Sequence, residues 1–169
     1  MIFRAWSDGR FRIGEREVRC ALGPRGVIAA DEKREGDGAT PLGAWPLRRA
    51  LYRADRGPRP VTPLPVGTIA EDDGWCDDPA DDAYNRPVRL PYPASAEVMC
   101  REDGLYDLVA ILGYNDEPPV AGRGSAIFLH VARPDYGPTQ GCVALARPDL
   151  EAVLALAEPG SVLEIVRAD

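Results

Sequence analysis

The sequence predicts a mainly-β domain with one or two short helices. Three observations point there. Glycine and proline number 17 each among 169 residues, which favours short strands joined by many turns over long helices. The N-terminal segments alternate apolar and polar side chains with a period of two. A single stretch near the C-terminus carries the 3/4 spacing of an amphipathic helix.

Taken in order, Ile2–Trp6, Arg10–Ile13 and Glu17–Leu22 form an opening meander, punctuated by Ser7-Asp8-Gly9 and Gly14. Gly23-Pro24-Arg25-Gly26 is a turn and Val27–Ala30 a short strand. Lys33–Gly43 is polar and glycine-rich, but it lacks the G-x-x-x-x-G-K-[ST] order of a phosphate loop and no helix is expected after it. Trp45–Tyr52 resumes as a strand. Pro58, Pro60, Pro63 and Pro65 fix φ and remove donors, so Arg53–Val66 reads as an extended connection. Glu71–Asp82 is a dense acidic run around Trp75 and Cys76, which by itself reads as a solvated loop. Ser95–Cys100 reads as a short helix and Leu105–Leu112 as a buried strand. Gly113–Asp116 with Pro118-Pro119 reads as a loop. Ser125–Val131 is a second buried strand, carrying His130. Arg147–Ala157 is the convincing helix, with Pro148 and Asp149 at its start and Leu150, Val153, Leu154 and Ala157 on one face. Pro159-Gly160 stops it, and Val162–Val166 is a final strand.

Composition excludes several function classes. A net charge of -7 argues against nucleic acid, whose phosphates require a basic face, and against an anionic membrane surface. No apolar run reaches the length of a membrane span. Met1–Arg10 lacks the apolar core of a secretory signal. Cys20, Cys76, Cys100 and Cys142 stand far apart with no C-x-x-C, and there is one histidine, so a zinc site is not expected. The EF-hand order of calcium ligands is also missing. No metal and no organic cofactor is expected.

The chemistry concentrates in Phe128–Leu145, FLHVARPDYGPTQGCVAL. A cysteine acts as a nucleophile through its thiolate, and a free thiol near pKa 8.5 is mostly protonated at neutral pH. An imidazole close by removes that obstacle. Here the sole histidine, His130, and Cys142 lie on either side of one turn-rich loop, so the two can meet. A core role for both is the alternative reading of the pair.

This segment resembles the active-site motif of L,D-transpeptidases of the YkuD type, in which a strand-end histidine precedes Ser/Thr-x-Gly-Cys-x-Arg. Thr139, Gly141, Cys142 and His130 fit. A second stretch, KREGDGATPLGAW from Lys33 to Trp45, resembles the same family's K…G…TPxGxF signature through Thr40, Pro41 and Gly43, with Trp45 at the aromatic position. The chain departs from the pattern at Ala144, where the family has arginine, and at Gln140, where many members have a second histidine. Its His–Cys loop is also shorter. Arg133 and Arg147 are the candidates for the missing cation.

The resemblance implies a single β-sandwich or barrel catalytic domain over residues 1–169. It implies peptidoglycan stem peptides as donor and acceptor, a monomer and a periplasmic location, although no signal peptide is visible. The compact build is similar to a proteobacterial branch that joins L-alanine at stem position one to diaminopimelate at position three. The implied mechanism makes Cys142 the nucleophile and His130 the base, with backbone N–H groups at Gly141 and Cys142 as oxyanion donors and Thr139 bonding across the loop. A thiolate–imidazolium pair formed before substrate arrives is one form of that mechanism. Tyr84, Asn85, Arg86, Tyr114, Asn115 and Arg133 are candidates for substrate binding. Tyr84–Pro87 reads equally as a clasp closing the acidic run onto the body. Within that run Asp72, Asp73, Asp77 and Asp78 are candidates for attracting the ammonium of diaminopimelate. Three alternatives remain: a carboxypeptidase or endopeptidase using water as acceptor, a non-catalytic peptidoglycan-binding domain, and a cytoplasmic thiol hydrolase on the same fold.

Overall fold

A computed structural model describes residues 1–169. The strands are β1 (Ile2–Trp6), β2 (Arg10–Ile13), β3 (Arg16–Ala21), β4 (Val27–Ile28), β5 (Thr40–Pro41), β6 (Gly43–Tyr52) and β7 (Val66–Thr68). They continue as β8 (Asp73–Cys76), β9 (Pro87–Arg89), β10 (Ala96–Val98), β11 (Leu108–Leu112), β12 (Phe128–Val131), β13 (Val143–Leu145) and β14 (Val162–Val166). A single helix, α1 (Arg147–Leu156), precedes β14.

The main sheet has nine strands in the order β11-β12-β13-β3-β2-β1-β14-β6-β7, and β6 also pairs with β11. That extra pairing closes the sheet into a barrel. The long β6 makes it possible: Gly43–Pro46 pair with β14, while Leu47–Tyr52 pair with β11. The mainly-β expectation holds, with the barrel form and one helix rather than two.

Period-two alternation sorts the side chains. On β1 and β2, Phe3, Ala5, Phe11 and Ile13 point into the barrel. β11 is buried on both faces: Leu108, Ala110 and Leu112 join the barrel core, whereas Val109 and Ile111 join a second cluster outside it. A small sheet ordered β10-β8-β9 accompanies that second cluster, to which Trp75 and Met99 contribute.

Helix α1 buries Leu150, Val153 and Leu154 in the barrel core. Its N-terminus has no side-chain cap, but Asp149 lies in the first turn, where the helix dipole favours a negative charge. Arg16 pairs with that carboxylate at 2.9 Å. The helix ends as Ala157 turns to extended backbone, its N–H still bonded to Val153 and Leu154 carbonyls.

Two segments differ from the sequence expectation. Ser95–Cys100 holds the strand β10 instead of a helix, because Ala96–Val98 find antiparallel partners in Gly74–Cys76. The acidic run is not a simple loop either: Asp73–Cys76 is the central strand of the small sheet, with Trp75 and Cys76 buried. The four cysteines are free thiols. No helix is long and apolar enough to cross a membrane.

Candidate active site

Strand register decides what meets at the site. β12 and β13 run parallel, with Leu129 beside Val143 and His130 beside Ala144. Leu129, Val143 and Leu145 face the barrel core, so His130 and Ala144 face the other way. Cys142 immediately precedes β13, two residues before Ala144, and its side chain is on their side of the sheet. His130, Cys142 and Ala144 all line one cavity of about 180 Å³.

The thiol is 6% exposed and the imidazole 4%. Cys142 Sγ–H donates to the Ala126 carbonyl at 3.1 Å, and Sγ accepts the Phe128 N–H at 3.4 Å. The sulfur's partners are thus backbone groups of the strand that carries His130 and of the residues leading into it. His130 Nδ1 lies 2.9 Å from the Val131 carbonyl. A carbonyl can only accept, so Nδ1 carries the proton and Nε2 presents its lone pair. That tautomer is the one a general base needs.

Burial holds both groups neutral. The imidazole is pushed down to about 4 by desolvation, with the Val131 carbonyl acting in the opposite sense. The thiol is pushed up to about 12 by desolvation first and by the Glu97 carboxylate second, against the stabilising Phe128 N–H. The resting pair is therefore imidazole and thiol, not an ion pair formed in advance.

A stability prediction follows from His130. Its folded pKa lies below the ordinary 6.5, so protonation favours the unfolded chain. Stability is undiminished above pH 6.5 and falls as pH drops from 6.5 to 4, by about 3 kcal/mol from this group. Urea unfolding of the wild type and of His130→Gln across that range measures it. The variant should show a shallower loss, and parallel curves would contradict the assignment.

The loop before Cys142 has its own logic. Gly141 sits at φ 122°, and a Cβ there would lie 2.8 Å from the Ala39 carbonyl oxygen. Thr139 Oγ1 donates to the Cys142 carbonyl at 2.7 Å and accepts the Gly141 N–H at 3.1 Å. The Gly141 N–H is therefore engaged in the resting state. The TPxG segment docks here too: Thr40 Oγ1 accepts the Gly23 N–H at 2.9 Å and lies 3.5 Å from the Cys142 carbonyl. Lys33 also lines the cavity, 2% exposed, with Nζ donating to Asp37 at 2.6 Å.

The residues proposed for substrate binding separate into two groups. Arg133 is exposed on the cavity wall. Tyr84, Asn85, Tyr114 and Asn115 do not line the cavity; they build the wall behind it. Asn85 Oδ1 accepts N–H groups from Trp75 and Ala126, at 2.9 and 3.0 Å. Its Nδ2 donates to the carbonyls of Tyr114 and Asn115. Tyr84 donates to Glu35 at 2.5 Å and accepts the Gly124 N–H at 2.9 Å. Tyr114 donates to the Arg123 carbonyl and meets Trp45 edge-on. Asn115 bonds Val120 and Gly124. Arg86 is exposed and away from the cavity. Asp135 accepts the Gly137 N–H within its own turn and does not orient His130.

Of the two candidate cations, Arg147 pairs with Glu151 at 3.0 Å and lines a different surface depression. Arg133 and the unforeseen Arg101 share the cavity with Cys142. Sequence reasoning also missed Glu97, Tyr106 and Glu35 on this wall. The i, i+4 spacing of Glu97 and Arg101 was their one signal, and it pointed to a helix. No group of three or more His, Cys, Asp or Glu side chains is placed to hold a metal ion.

The closed barrel thus brings a buried cysteine and a histidine to one cavity, the residue types that thiol chemistry requires. The YkuD family, L,D-transpeptidase catalytic domain, matches residues 2–165, and the chain belongs to it. Among solved structures, the helical cell shape determining protein Pgp2 from Campylobacter jejuni is similar over 99% of this chain and 48% of its own, with a TM-score of 0.50 and 15% identity. Mycobacterium tuberculosis L,D-transpeptidase 1 aligns over 98% of this chain and 58% of its own, with a TM-score of 0.46 and 13% identity. The chain thus spans about half the length of these structures. No curated protein matches the sequence.

Proposed function

We propose that this chain is a peptidoglycan L,D-transpeptidase that works as a single cysteine-dependent catalytic domain. The observation that supports it most is that Cys142 lines the same cavity as His130, whose Nδ1 faces the Val131 carbonyl. As a donor stem peptide fills the cavity, Nε2 of His130 takes the thiol proton while sulfur attacks an amide carbonyl next to an L-configured centre. Because both groups rest neutral, proton transfer and attack proceed together. The tetrahedral intermediate collapses to a thioester, and the leaving amine takes the proton from His130. An acceptor amine of diaminopimelate then attacks the thioester, passes its proton to His130 and releases the thiolate, which is reprotonated.

The oxyanion needs donors at each tetrahedral stage, and loss of one typically costs about 3 kcal/mol. Gly141 N–H serves only after Thr139 releases it, a rearrangement that substrate binding would drive. The reading places the protein in the periplasm as a monomer, with stem peptides as its partners.

Incubation with disaccharide-tripeptide and disaccharide-tetrapeptide muropeptides tests it. The expected product is a cross-linked dimer, and fragmentation identifies whether L-alanine or diaminopimelate supplies the acyl group. Trimmed monomers alone would replace the transferase with a hydrolase. Intact substrates would remove the enzymatic reading.

A further inference from the structure

The cavity contains a carboxylate that this chemistry leaves unused. Glu97, on β10, lines the same cavity as Cys142 and His130, with its side chain 27% exposed. It accepts a hydrogen bond from Tyr106, whose ring stands edge-on to His130 at 5.3 Å and to Phe128 at 5.8 Å. Glu97 is thus tied, through Tyr106, to the ring that meets His130. Its charge acts in the wrong sense for a nucleophile, because a carboxylate here opposes ionisation of Cys142.

The local cations do not cancel it. Arg101 lies 3.8 Å from Glu97 but commits two nitrogens to Asp103, at 2.9 and 2.6 Å. Lys33 is held by Asp37. Two further carboxylates, Glu35 and Asp77, share the wall. Glu35 is met by the hydroxyls of Tyr84 and Ser125, which are neutral. Asp77 Oδ1 is buried without any hydrogen-bond partner, a state that costs free energy unless something else supplies a donor. Arg133, at the rim, is the one cavity cation with no acidic partner within ion-pair distance.

We propose that Glu97, backed by Asp77 and Glu35, receives a primary ammonium of the substrate and so sets which molecules seat beside Cys142. Glu97 is then a specificity-determining residue: a molecule without the cation leaves these carboxylates with no counter-charge. This rests on the reading of Cys142 as the nucleophile.

The probes are the tripeptide L-Ala-γ-D-Glu-meso-diaminopimelate and its twin acetylated on the side-chain amine. Binding is measured by calorimetry to Cys142→Ala protein, which performs no chemistry on either. Adding Glu97→Gln should weaken the ammonium peptide at least tenfold and leave the twin within twofold, since glutamine keeps an acceptor for Tyr106. Equal losses for both peptides, or no loss, would overturn the assignment. Asp77→Asn should discriminate in the same direction with a smaller factor, which covers the case in which the Glu97 variant does not fold. With Cys142 intact, Glu97→Gln should speed alkylation of the thiol by neutral iodoacetamide several-fold at pH 8; an unchanged or slower rate would overturn the placement of that charge beside the thiol. Turnover by Cys142→Ala protein would instead refute the nucleophile reading, leaving the binding comparison to judge Glu97.

Discussion

Cys142→Ala is expected to abolish product formation from muropeptides, with a loss on the order of 10⁴-fold or more, because the proposed mechanism carries the acyl group on this sulfur. The substitution removes one buried sulfur and two weak backbone contacts. Its stability cost should be about 1–2 kcal/mol, a shift of a few degrees in Tm. The two readouts together separate chemistry from folding. Full-length product from a well-folded alanine variant would eliminate Cys142 as the nucleophile, and loss of activity accompanied by a large fall in Tm would leave the fold as the explanation.

The largest effect on stability should come from a residue outside the cavity. Asn85→Ala strips partners from the Trp75 indole, the Ala126 N–H and the carbonyls of Tyr114 and Asn115. Asn85 also sits at φ 56°, a left-handed conformation that asparagine tolerates better than alanine. Several buried groups left unpaired plus backbone strain give about 4 kcal/mol of destabilisation, or roughly 10 °C in Tm. Activity should fall further than stability alone requires. Ala126 holds φ 52° with its N–H bonded to Asn85, and its carbonyl accepts the Cys142 thiol. Thermal melts and turnover of the surviving folded fraction check both parts; a Tm within about two degrees of wild type would show the network to be redundant.

Much of this architecture was legible in the residues. Alternation in β1 and β2 and the apolar face of α1 were strong because each buries one side only. The segment around His130 and Cys142 stood out for a different reason, its residue types, since β12 and β13 are almost wholly buried and show no alternation. Glu97, Arg101 and Tyr106 were not legible. Glu97 reaches the cavity through the β8–β10 pairing, a tertiary contact that overrides the local helical appearance of Ser95–Cys100, and Arg101 and Tyr106 follow on the segment leading to β11. The role of Tyr84–Asn85 was ambiguous for a different reason. Polar side chains that hold a wall together and polar side chains that hold a ligand have the same composition, and only the hydrogen-bond partners tell them apart.

The parallel pairing of β1 with β14, Ile2 beside Val162 through Trp6 beside Val166, joins the first and last strands of the barrel. Loop closure across so long a separation is entropically slow. The ring therefore stays open until residues 162–166 have emerged, and a nascent chain interrupted earlier exposes Ile2–Trp6 as an unpaired ribbon able to recruit another molecule. Synthesis and maturation are thus linked by topology: the hollow that shelters the thiol takes its final shape only once residues 162–166 are in place.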